Sequence, residues 1–356
     1  MNRKIRVLHV LNTGKYSGAE NVAITIISSM KDVEFAYASL NGPIVEILKD
    51  NNILYYPIGE QKINIRKLKK AIVNFRPDII QAHDFTSGIK TVMTCEGVPI
   101  INHIHCNVPW LQKICIKSLS FLLFSCFYKK IILVSDSIID EYIFRKIINR
   151  KCIVVGNPID TDKIKQKSYS EENKEESDVI FLGRMSEEKN PLLFIDIICQ
   201  VAKRIPDIKA VMIGSGALEK IVEQKIIKKG LRENIQLYCF MKNPYVLMKN
   251  SKILCVPSSW EGFGLSAAEA LALSKPVVAA NVGGLKTIIN ESCGFLCDDI
   301  SQYVDAIIEL IENESCYQKK KQGAINRANE LENLNEYIEN IYSIYIVVLG
   351  RNSNVE

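Results

Sequence analysis

The sequence lacks the features that would place it outside the ordinary globular proteins. It has no run of ~18 uninterrupted apolar residues, so we expect no segment that crosses a bilayer. Its eleven cysteines include no CxxC pair, which argues against a zinc or dithiol site and favours reduced thiols in a cytoplasmic protein. The first apolar run is short and has no small-residue cleavage site, so it predicts a strand and not a signal peptide. The net charge of +5 is too weak to indicate nucleic acid as a partner.

The length and composition predict two globular domains. With 356 residues, of which 47% are hydrophobic and 24% charged, the chain is long for a single core. A polar stretch without periodicity at residues 163–178 indicates a linker or an exposed excursion. We therefore expect one domain over residues 1–165, a second over 172–332, and a carboxy-terminal helix within 335–356 that packs back on the first domain.

Short apolar runs alternate with longer helical patterns in both halves of the chain. Strands rich in Ile and Val that alternate with helices in this way predict βαβ units around parallel sheets that are covered on both faces. The predicted fold class is therefore α/β with two doubly wound sheets, followed by a helix over 301–332. The predicted strands are IRVLHVL, FAYASL, ILYYPIG, DIIQAH, PIINHIH, IILVSD and CIVVGNP in the first half, and DVIFLGR, IKAVMIG, IQLYCF, ILCVPSS, PVVAAN and GFLC in the second.

Polar residues follow the predicted strands of the first half, at the edge where open α/β sheets bind ligands. Gly14 and Gly18 flank a turn before a helix whose amides could face an anion, although such turns also need glycine for steric reasons alone. His83, His103 and His105 gather at the ends of two predicted strands. His103 and His105 belong to the same strand segment, and only His105 lies beyond the strand's end. We predict a polar site role for His105, whereas a structural role explains His103 equally well. The sequence offers no convincing further ligand for a metal.

The loop GRMSEEKNP in the second half carries two cations ahead of a helix that Pro191 opens. Arg184 and Lys189 suit a diphosphate, because a guanidinium fork and backbone amides grip its oxygens while the lysine neutralises charge. The alternative is a solvated loop in which the SEEK segment pairs internally. Gly214 and Gly216 of IGSGALE lack the third glycine of a dinucleotide fingerprint, so NAD is not expected.

Two glutamates flank the turn EGFGL and the helix that follows it. The glycines let the backbone approach a ligand, and the helix that begins near Leu265 directs its amides to the same place, which suits phosphate. Glu261 and Glu269 would repel a phosphate that they faced, so we expect them to accept hydrogen bonds from hydroxyl groups. A diphosphate with hydroxyls at both ends, a ribose on one side and a hexose on the other, is a nucleotide sugar.

At these residues the chain resembles the retaining GT-B glycosyltransferases of family 4, and the resemblance covers nearly the whole chain. FLGRMSEEKNP is similar to the family's G-R-(x4)-K loop, and PSSWEGFGLSAAEALALSKPVVAANVGG is similar to its E-x7-E region. GKYSGAEN is similar to the GGAE loop of the first half. The resemblance implies two Rossmann-like doubly wound domains facing across a cleft, with the acceptor side in the first domain and nucleotide-sugar binding in the second.

The resemblance also implies roles for individual residues. His105, in HIHCN, would lie beside the anomeric carbon, and Glu261 would contact the hydroxyls of the donor sugar; these two are the implied catalytic residues. Arg184 and Lys189 would hold the diphosphate, and Glu269 the ribose. The implied donor-binding residues, including those that act through their backbone, are Gly18, Arg184, Lys189, Phe263, Gly264, Leu265 and Glu269.

The chain departs from the family pattern at four positions. Ser17, Asn190 and Ser274 replace glycines, and Gln81 stands where a histidine is common. None of these changes removes a charged ligand, so they bear on the fit of the donor. The DTD at 160–162 imitates a metal-binding motif but lies in a segment similar to the family's N-G-I-D connector, so we interpret it as structural and expect no metal.

The implied activity is that of a retaining hexosyltransferase. It would move a hexose or N-acetylhexosamine from a nucleotide-diphosphate sugar, with a UDP-sugar favoured, to a saccharide or lipid-linked acceptor in bacterial capsule, exopolysaccharide or lipopolysaccharide synthesis. No cofactor, metal or nucleic acid is expected. The alternatives are a nucleotide-sugar epimerase of related architecture and a non-catalytic nucleotide-sugar-binding protein. The E-x7-E region argues against the first, and the presence of both His105 and Glu261 argues against the second.

The segment WLQKICIKSLSFLLFSCFYKK, residues 110–130, is apolar in its middle and carries lysines around it. Part of it must form a core helix, which is one explanation of its apolar character. The other explanation is that its exposed part rests on the inner face of the cytoplasmic membrane, where a lipid-linked saccharide would be available. The expected location is therefore the cytoplasm, with peripheral membrane contact under the second explanation.

Overall fold

The computed structural model describes residues 3–95, 97–169 and 176–350, and it divides into two units. Unit 1 contains the described residues up to Pro158 together with those from Leu334 onward, and unit 2 is Ile159–Asn333. This boundary lies earlier than the expected one at 165, because the helix Thr161–Lys167 packs against two helices of unit 2.

Unit 1 is built on a seven-stranded sheet in which all neighbouring strands are parallel. Its strands are β1 (Ile5–Leu11), β2 (Val33–Leu40), β3 (Leu54–Gly59), β4 (Ile79–His83), β5 (Ile100–Ile104), β6 (Tyr128–Leu133) and β7 (Cys152–Val154). The order across the sheet is β3-β2-β1-β4-β5-β6-β7. Its connecting helices are α1 (Gly18–Ser29), α2 (Ile44–Asp50), α3 (Ile65–Phe75), α4 (Phe85–Val92), α5 (Ile116–Ser125), α6 (Asp136–Asp140) and α7 (Arg145–Ile148), with 3-10 turns at Pro109–Gln112 and Asn149–Lys151.

Unit 2 contains a six-stranded parallel sheet of the same type. Its strands are β8 (Ser177–Leu182), β9 (Ala210–Ile213), β10 (Ile235–Tyr238), β11 (Ser251–Val256), β12 (Val277–Ala280) and β13 (Gly294–Cys297). The order is β10-β9-β8-β11-β12-β13. Its helices are α8 (Thr161–Lys167), α9 (Pro191–Val201), α10 (Glu219–Lys228), α11 (Tyr245–Asn250), α12 (Leu265–Ala272), α13 (Leu285–Ile288), α14 (Ile300–Glu312) and α15 (Glu314–Leu331).

The predicted α/β class with two doubly wound sheets is confirmed. The central strands are buried on both faces, as in β4, β5, β9 and β12, where every residue is buried. This burial explains why continuous apolar runs, and not alternating ones, mark the strands of parallel sheets. In both sheets the chain reverses its direction of strand addition next to the first strand, which places a ligand-binding crevice at that point in folds of this type.

Two local predictions differ from the structure. The start of the expected linker at 163–178 is helical as far as Lys167, because Asp160 caps α8 by accepting a hydrogen bond of 2.9 Å from the Lys163 amide. The rest of that segment includes residues 170–175, which lie outside the described residues. The helix predicted over 301–332 is two helices, because the Asn313 side chain accepts a hydrogen bond of 3.1 Å from the Cys316 amide and starts α15.

The last helix, α16 (Leu334–Val348), packs in unit 1 through a stripe of buried side chains. Tyr337, Ile341 and Tyr345 of this stripe are almost fully buried. The Tyr345 hydroxyl donates a hydrogen bond to the Gln81 side chain in β4, so the helix satisfies a polar group inside the sheet. Neither α16 nor any other helix in the described part of the chain combines the length and the apolar character that crossing a bilayer requires.

We expect Tyr345→Phe to lower the free energy of unfolding by about 1–3 kcal/mol, because it leaves the buried Gln81 oxygen without its donor. Tyr342→Phe is the matched control, since Tyr342 lies on the same helix and is 38% exposed. Urea denaturation of both variants measures the difference. Equal stabilities would show that the hydrogen bond to Gln81 does not hold α16 in place.

Candidate functional site

The loop after β8 in unit 2 carries a chain of alternating charges. Arg184 Nη2 lies 2.7 Å from Glu188 Oε2. The other oxygen of Glu188 lies 3.8 Å from Lys189 Nζ. Lys189 in turn forms an ion pair with Glu261, which lies in the loop after β11. The structure therefore brings Arg184, Lys189 and Glu261 together, and Glu188 pairs within the loop as the SEEK alternative anticipated.

The Lys189–Glu261 pair is held in a largely buried setting. Glu261 is only 7% exposed, and a carboxylate buried to this extent is costly unless it is paired and hydrogen-bonded. Its second partner is the Ser258 hydroxyl, at 3.3 Å. Burial alone would lower the pKa of Lys189, but Glu261 and Glu188 outweigh burial and raise the pKa. Lys189 is therefore a fixed cation, and it is positioned before any ligand binds.

The turn between Glu261 and α12 depends on glycine at two positions. Gly264 has a φ of +100° in the left-handed region, and a Cβ there would lie 2.8 Å from Leu285 Cδ2. Gly284, at the end of the next loop, donates its amide to the Glu261 carbonyl at 3.0 Å. A Cβ at Gly284 would lie 2.3 Å from the Gly262 oxygen. The two loops can therefore touch only because these positions lack side chains.

The amino end of α12 can receive an anion. No side chain from the described residues caps this end, so its first amides and the positive end of the helix dipole are directed at the turn. Phe263 and Gly264 are buried in the turn, and Leu265 is the first residue of the helix. The predicted backbone-lining residues therefore lie next to Glu261 and its lysine partner.

The glycines of IGSGALE bring the loops after β8 and β9 together. Gly214 has a φ of +148°, and a Cβ there would lie 1.9 Å from the Gly183 oxygen. The Met185 amide donates to the Ser215 carbonyl at 3.0 Å. These glycines thus support the shape of the loop that carries Arg184 and Lys189.

Glu269 lies on α12 with a separate set of partners. It accepts a hydrogen bond of 2.9 Å from the Tyr245 hydroxyl of α11. Burial raises the pKa of Glu269 to about 7, and the Tyr245 hydrogen bond and the Lys167 charge only partly oppose that shift. The sequence did not indicate Tyr245, because it is 24 positions away from Glu269 and its segment carries no motif. The sequence did not indicate Ser258 either, because its hydroxyl meets Glu261 only once β11 and the loop after it are folded.

The histidines of unit 1 form one cluster at the carboxyl ends of β1, β4 and β5. His83 Nδ1 lies 2.9 Å from His105 Nε2, and His83 Nε2 lies 2.7 Å from His9 Nδ1. His103 Nδ1 lies 3.0 Å from the Gln81 side-chain nitrogen, and its ring centre is 4.1 Å from that of His105. Burial lowers the pKa of His9 and of His105 to about 3, so both imidazoles are neutral near pH 7. Three of these residues were predicted at one rim from the sequence, whereas His9 was not.

Gly18 is the first residue of α1 and is exposed. Ser17 precedes it in an extended conformation, and the Ser17 hydroxyl donates to the buried Glu20 carboxylate. The serine that replaces a family glycine is therefore accommodated by a side-chain hydrogen bond within the first turn of α1.

His83, His103 and His105 also satisfy the spacing of a metal site, since their ligating nitrogens lie within 4.8 Å of one another. These are the same three histidines that the sequence placed at one rim. However, both nitrogens of His83 already face other histidines, so a metal would have to displace the His83–His105 hydrogen bond. The expectation of no metal stays a prediction.

Comparisons with known proteins identify the family of the chain. The family model for glycosyl transferases group 1 matches residues 145–330, and that for glycosyltransferase family 4 matches residues 7–163. The chain belongs to the glycosyl transferases group 1 family. The match to the first model contains Arg184, Lys189, Glu261 and Glu269, so the site in unit 2 lies within the segment that defines this group 1 glycosyltransferase.

Individual relatives of this group 1 glycosyltransferase are distant in sequence. An uncharacterized glycosyltransferase of Methanocaldococcus jannaschii is 27% identical over 65% of this chain and 62% of its own length. The UDP-Gal:alpha-D-GlcNAc-diphosphoundecaprenol alpha-1,3-galactosyltransferase of Escherichia coli is 22% identical over 87% of this chain and 89% of its own length.

Solved structures support the GT-B fold of this group 1 glycosyltransferase. Anabaena HepE in complex with UDP-glucose superposes with a TM-score of 0.81 at 20% identity, covering 96% of this chain and 100% of HepE. A glycosyltransferase of Rickettsia africae gives a TM-score of 0.75 at 19% identity, covering 99% of this chain and all of that one. At such identities the likeness establishes the fold.

We expect the stability of the protein to depend on pH through Glu269. Its folded pKa of about 7 lies above the ordinary value of 4.5, so the stability that it contributes is present below about pH 4.5 and is lost as the pH rises through 7. Between about pH 5 and 8 the wild type should therefore lose more stability than Glu269→Gln does. Glu223→Gln, on the exposed face of α10, is the control and should follow the wild type. Parallel pH profiles for wild type and Glu269→Gln in urea denaturation would contradict the raised pKa.

Proposed function

We propose that this group 1 glycosyltransferase transfers a hexose or N-acetylhexosamine from a nucleotide-diphosphate sugar to a saccharide or lipid-linked acceptor with retention of configuration. A UDP-sugar is the proposed donor, and HepE, a protein of the same fold, was crystallised with UDP-glucose. The proposed setting is bacterial polysaccharide assembly, in keeping with the E. coli relative whose name describes a diphosphoundecaprenol-linked acceptor.

The single observation that carries this proposal is the Lys189–Glu261 ion pair beside the uncapped amino end of α12. Lys189, Arg184 and the helix amides supply positive charge and donors for a diphosphate, and Glu261 supplies an acceptor for sugar hydroxyls. Glu269 and Tyr245 would meet the ribose, where an ionised carboxylate accepts hydrogen bonds from two hydroxyls. These groups all lie in unit 2.

The proposed chemistry relies on electrostatic stabilisation. Cleavage of the bond between sugar and phosphate leaves negative charge on the diphosphate, and preorganised cations and amides stabilise that charge most in the transition state. We propose that this arrangement works without a metal or a cofactor. The leaving phosphate would accept the proton of the acceptor hydroxyl, and His105 would orient the donor sugar. These roles are carried over from the family resemblance.

We expect Arg184→Ala and Lys189→Ala each to lower kcat/KM for the donor by roughly 100-fold or more, because each removes charge that stabilises the leaving diphosphate. Arg204→Ala is the matched control, since Arg204 is an exposed arginine of unit 2 with only a 3.8 Å surface ion pair, and it should keep near-wild-type rates. The assay measures sugar transfer and hydrolysis from a panel of nucleotide sugars. Wild-type rates in both loop variants would contradict the proposed diphosphate site.

The same donor panel separates the proposal from its two rivals. An epimerase would convert the donor sugar into an isomer without an acceptor, whereas the proposed enzyme releases UDP as it transfers the sugar. A non-catalytic binder would retain donor affinity and show no turnover with any acceptor. A Glu261→Ala variant that abolishes turnover in a folded protein places the catalysis at this site and excludes the non-catalytic binder.

We propose further that α5 rests on an anionic membrane surface. Large side chains on one face of it are exposed, with Ile116 at 84% and Leu123 at 63%, and Phe127 just after it is at 61%. Part of the segment is core, as the other explanation required, because Phe121 on the opposite face is buried. The exposed residues are flanked by the lysines Lys113, Lys117, Lys129 and Lys130. An apolar patch with lysines on both sides of it in the sequence suits anionic lipid headgroups above acyl chains.

We expect the wild type to float with anionic liposomes, and Ile116→Ser combined with Leu123→Ser to abolish flotation, because the inserted apolar area is lost. High salt should weaken the binding, since the lysines contribute through screened charge. Ile221→Ser with Ile227→Ser, which removes two exposed isoleucines of α10 (48% and 44%), is the control. Absence of wild-type flotation, or equal loss in the control, would overturn the membrane proposal.

A further inference from the structure

The positive charge of the protein is concentrated in two stretches of unit 1. Residues 110–130, which contain α5, and residues 142–159, which contain α7, together carry eight lysines and arginines and no aspartate or glutamate. Without these eight, the chain has 37 lysines and arginines against 40 aspartates and glutamates, so the rest of it is slightly acidic. The excess of cations is therefore a local property of these two stretches.

Residues 143–151 of the second stretch, referred to below as the α7 segment, combine exposed cations with exposed aliphatic side chains. Arg145, Lys146 and Arg150 are exposed, and no acidic side chain of the described residues lies within ion-pair distance of them. Ile143 is 42% exposed and Ile147 is 65% exposed. Exposed aliphatic side chains among unpaired cations are typical of an interaction surface.

The α7 segment is attached to α5 at both of its ends. Tyr142, immediately before the segment, is buried, and its hydroxyl donates to the Ser118 carbonyl of α5 at 2.7 Å. Lys151, at the other end, donates through Nζ to the carbonyls of Ser125 at 3.0 Å and Cys126 at 2.7 Å. A cation in this position satisfies the last carbonyls of α5 and complements the negative end of its dipole. The two elements therefore hold each other in place.

These contacts make the exposed side chains of α5 and of the α7 segment neighbours. The Cys126 carbonyl that Lys151 contacts directly precedes Phe127, the exposed aromatic residue just after α5. Ile147 is four residues before Lys151, within the short helix α7. The exposed side chains of the α7 segment therefore lie beside the carboxyl end of α5.

A surface of this composition suits a leaflet of anionic lipids. Each lysine or arginine near such a leaflet raises the binding constant roughly fivefold, and aliphatic side chains gain by insertion below the headgroups. Nucleic acid would use the cations and leave the isoleucines without partners. The lysines and exposed apolar side chains of α5 continue the same combination, so a single leaflet can cover both elements.

We propose that the α7 segment is a second membrane-binding element, in which three cations bind anionic headgroups and two isoleucines enter the boundary between headgroups and acyl chains. This proposal rests on the membrane contact proposed for α5. A single helix on a membrane can roll about its own axis, whereas two elements joined by fixed contacts set one orientation of unit 1. The residues of the second element are Ile143, Arg145, Lys146, Ile147 and Arg150.

Flotation with liposomes of phosphatidylcholine and phosphatidylglycerol tests the charged contacts. We expect Lys146→Gln combined with Arg150→Gln to lower the partition coefficient roughly 30-fold, because two headgroup contacts are lost. The variant should keep the wild-type midpoint of thermal unfolding, since both side chains are exposed. Lys228→Gln combined with Arg232→Gln is the matched control. It removes an exposed lysine and an exposed arginine at the same spacing in unit 2, and it should float as the wild type does.

Fluorescence tests whether Ile147 reaches the lipid. Brominated lipids in the anionic liposomes should quench Ile147→Trp more than they quench the wild type, which has only Trp110 and Trp260. Ile227→Trp, at an isoleucine of α10 that is 44% exposed, is the control and should show no added quenching.

Wild-type flotation of the Lys146→Gln and Arg150→Gln double variant, or a loss no larger than that of its control, would overturn the proposal. Absence of added quenching in liposome-bound Ile147→Trp would overturn it as well. If the wild type does not float, the proposals for α5 and for the α7 segment both fail, and an acidic protein becomes the better partner for this surface. Loss of flotation in the α5 variant, with none in the α7 double variant, would overturn the second proposal alone.

Discussion

The parallel direction of every strand pair is the constraint on which both units depend. In a parallel sheet all carboxyl ends lie along one edge, so residues that directly follow different strands become neighbours in space. Glu261 follows β11 and Lys189 follows β8, and they form an ion pair although they are 72 positions apart. His83 and His105 meet in the same way at the ends of β4 and β5. Neither group of residues is close in sequence.

Burial of charge at these edges needs compensation, and unit 2 supplies it by pairing. Glu261 is neutralised by Lys189, and Glu188 lies between Lys189 and Arg184. Such pairs fix long side chains in one place before a ligand arrives. Less side-chain entropy is then lost when the ligand binds. Unit 1 buries imidazoles that stay neutral. These rings need hydrogen-bond donors and acceptors as partners, and not opposite charges. The buried groups at the two sheet edges are therefore stabilised in different ways, by ion pairs in unit 2 and by hydrogen bonds between neutral rings in unit 1.

Much of the fold was predictable because parallel strands buried on both faces leave continuous apolar runs. IRVLHVL and GFLC correspond to β1 and β13 residue for residue. The break at Asn313 was missed because a single capping asparagine marks it, between two segments that each have a helical sequence. Charged loop residues of the site carried local motifs. Tyr245 and His9 carried none, because their partners come from distant strands and helices and become visible only in the folded chain.

The central claim is that the loops after β8 and β11 and the start of α12 bind the diphosphate of a nucleotide. Hydrogen exchange with mass spectrometry, with and without UDP, tests it most directly, since a bound phosphate protects the amides that it contacts. The account predicts slower exchange in peptides that cover residues 183–190 and 261–268, with β10 and α10 unchanged as internal references. Protection that is absent from both segments at saturating UDP, or that is confined to other parts of the chain, would contradict it.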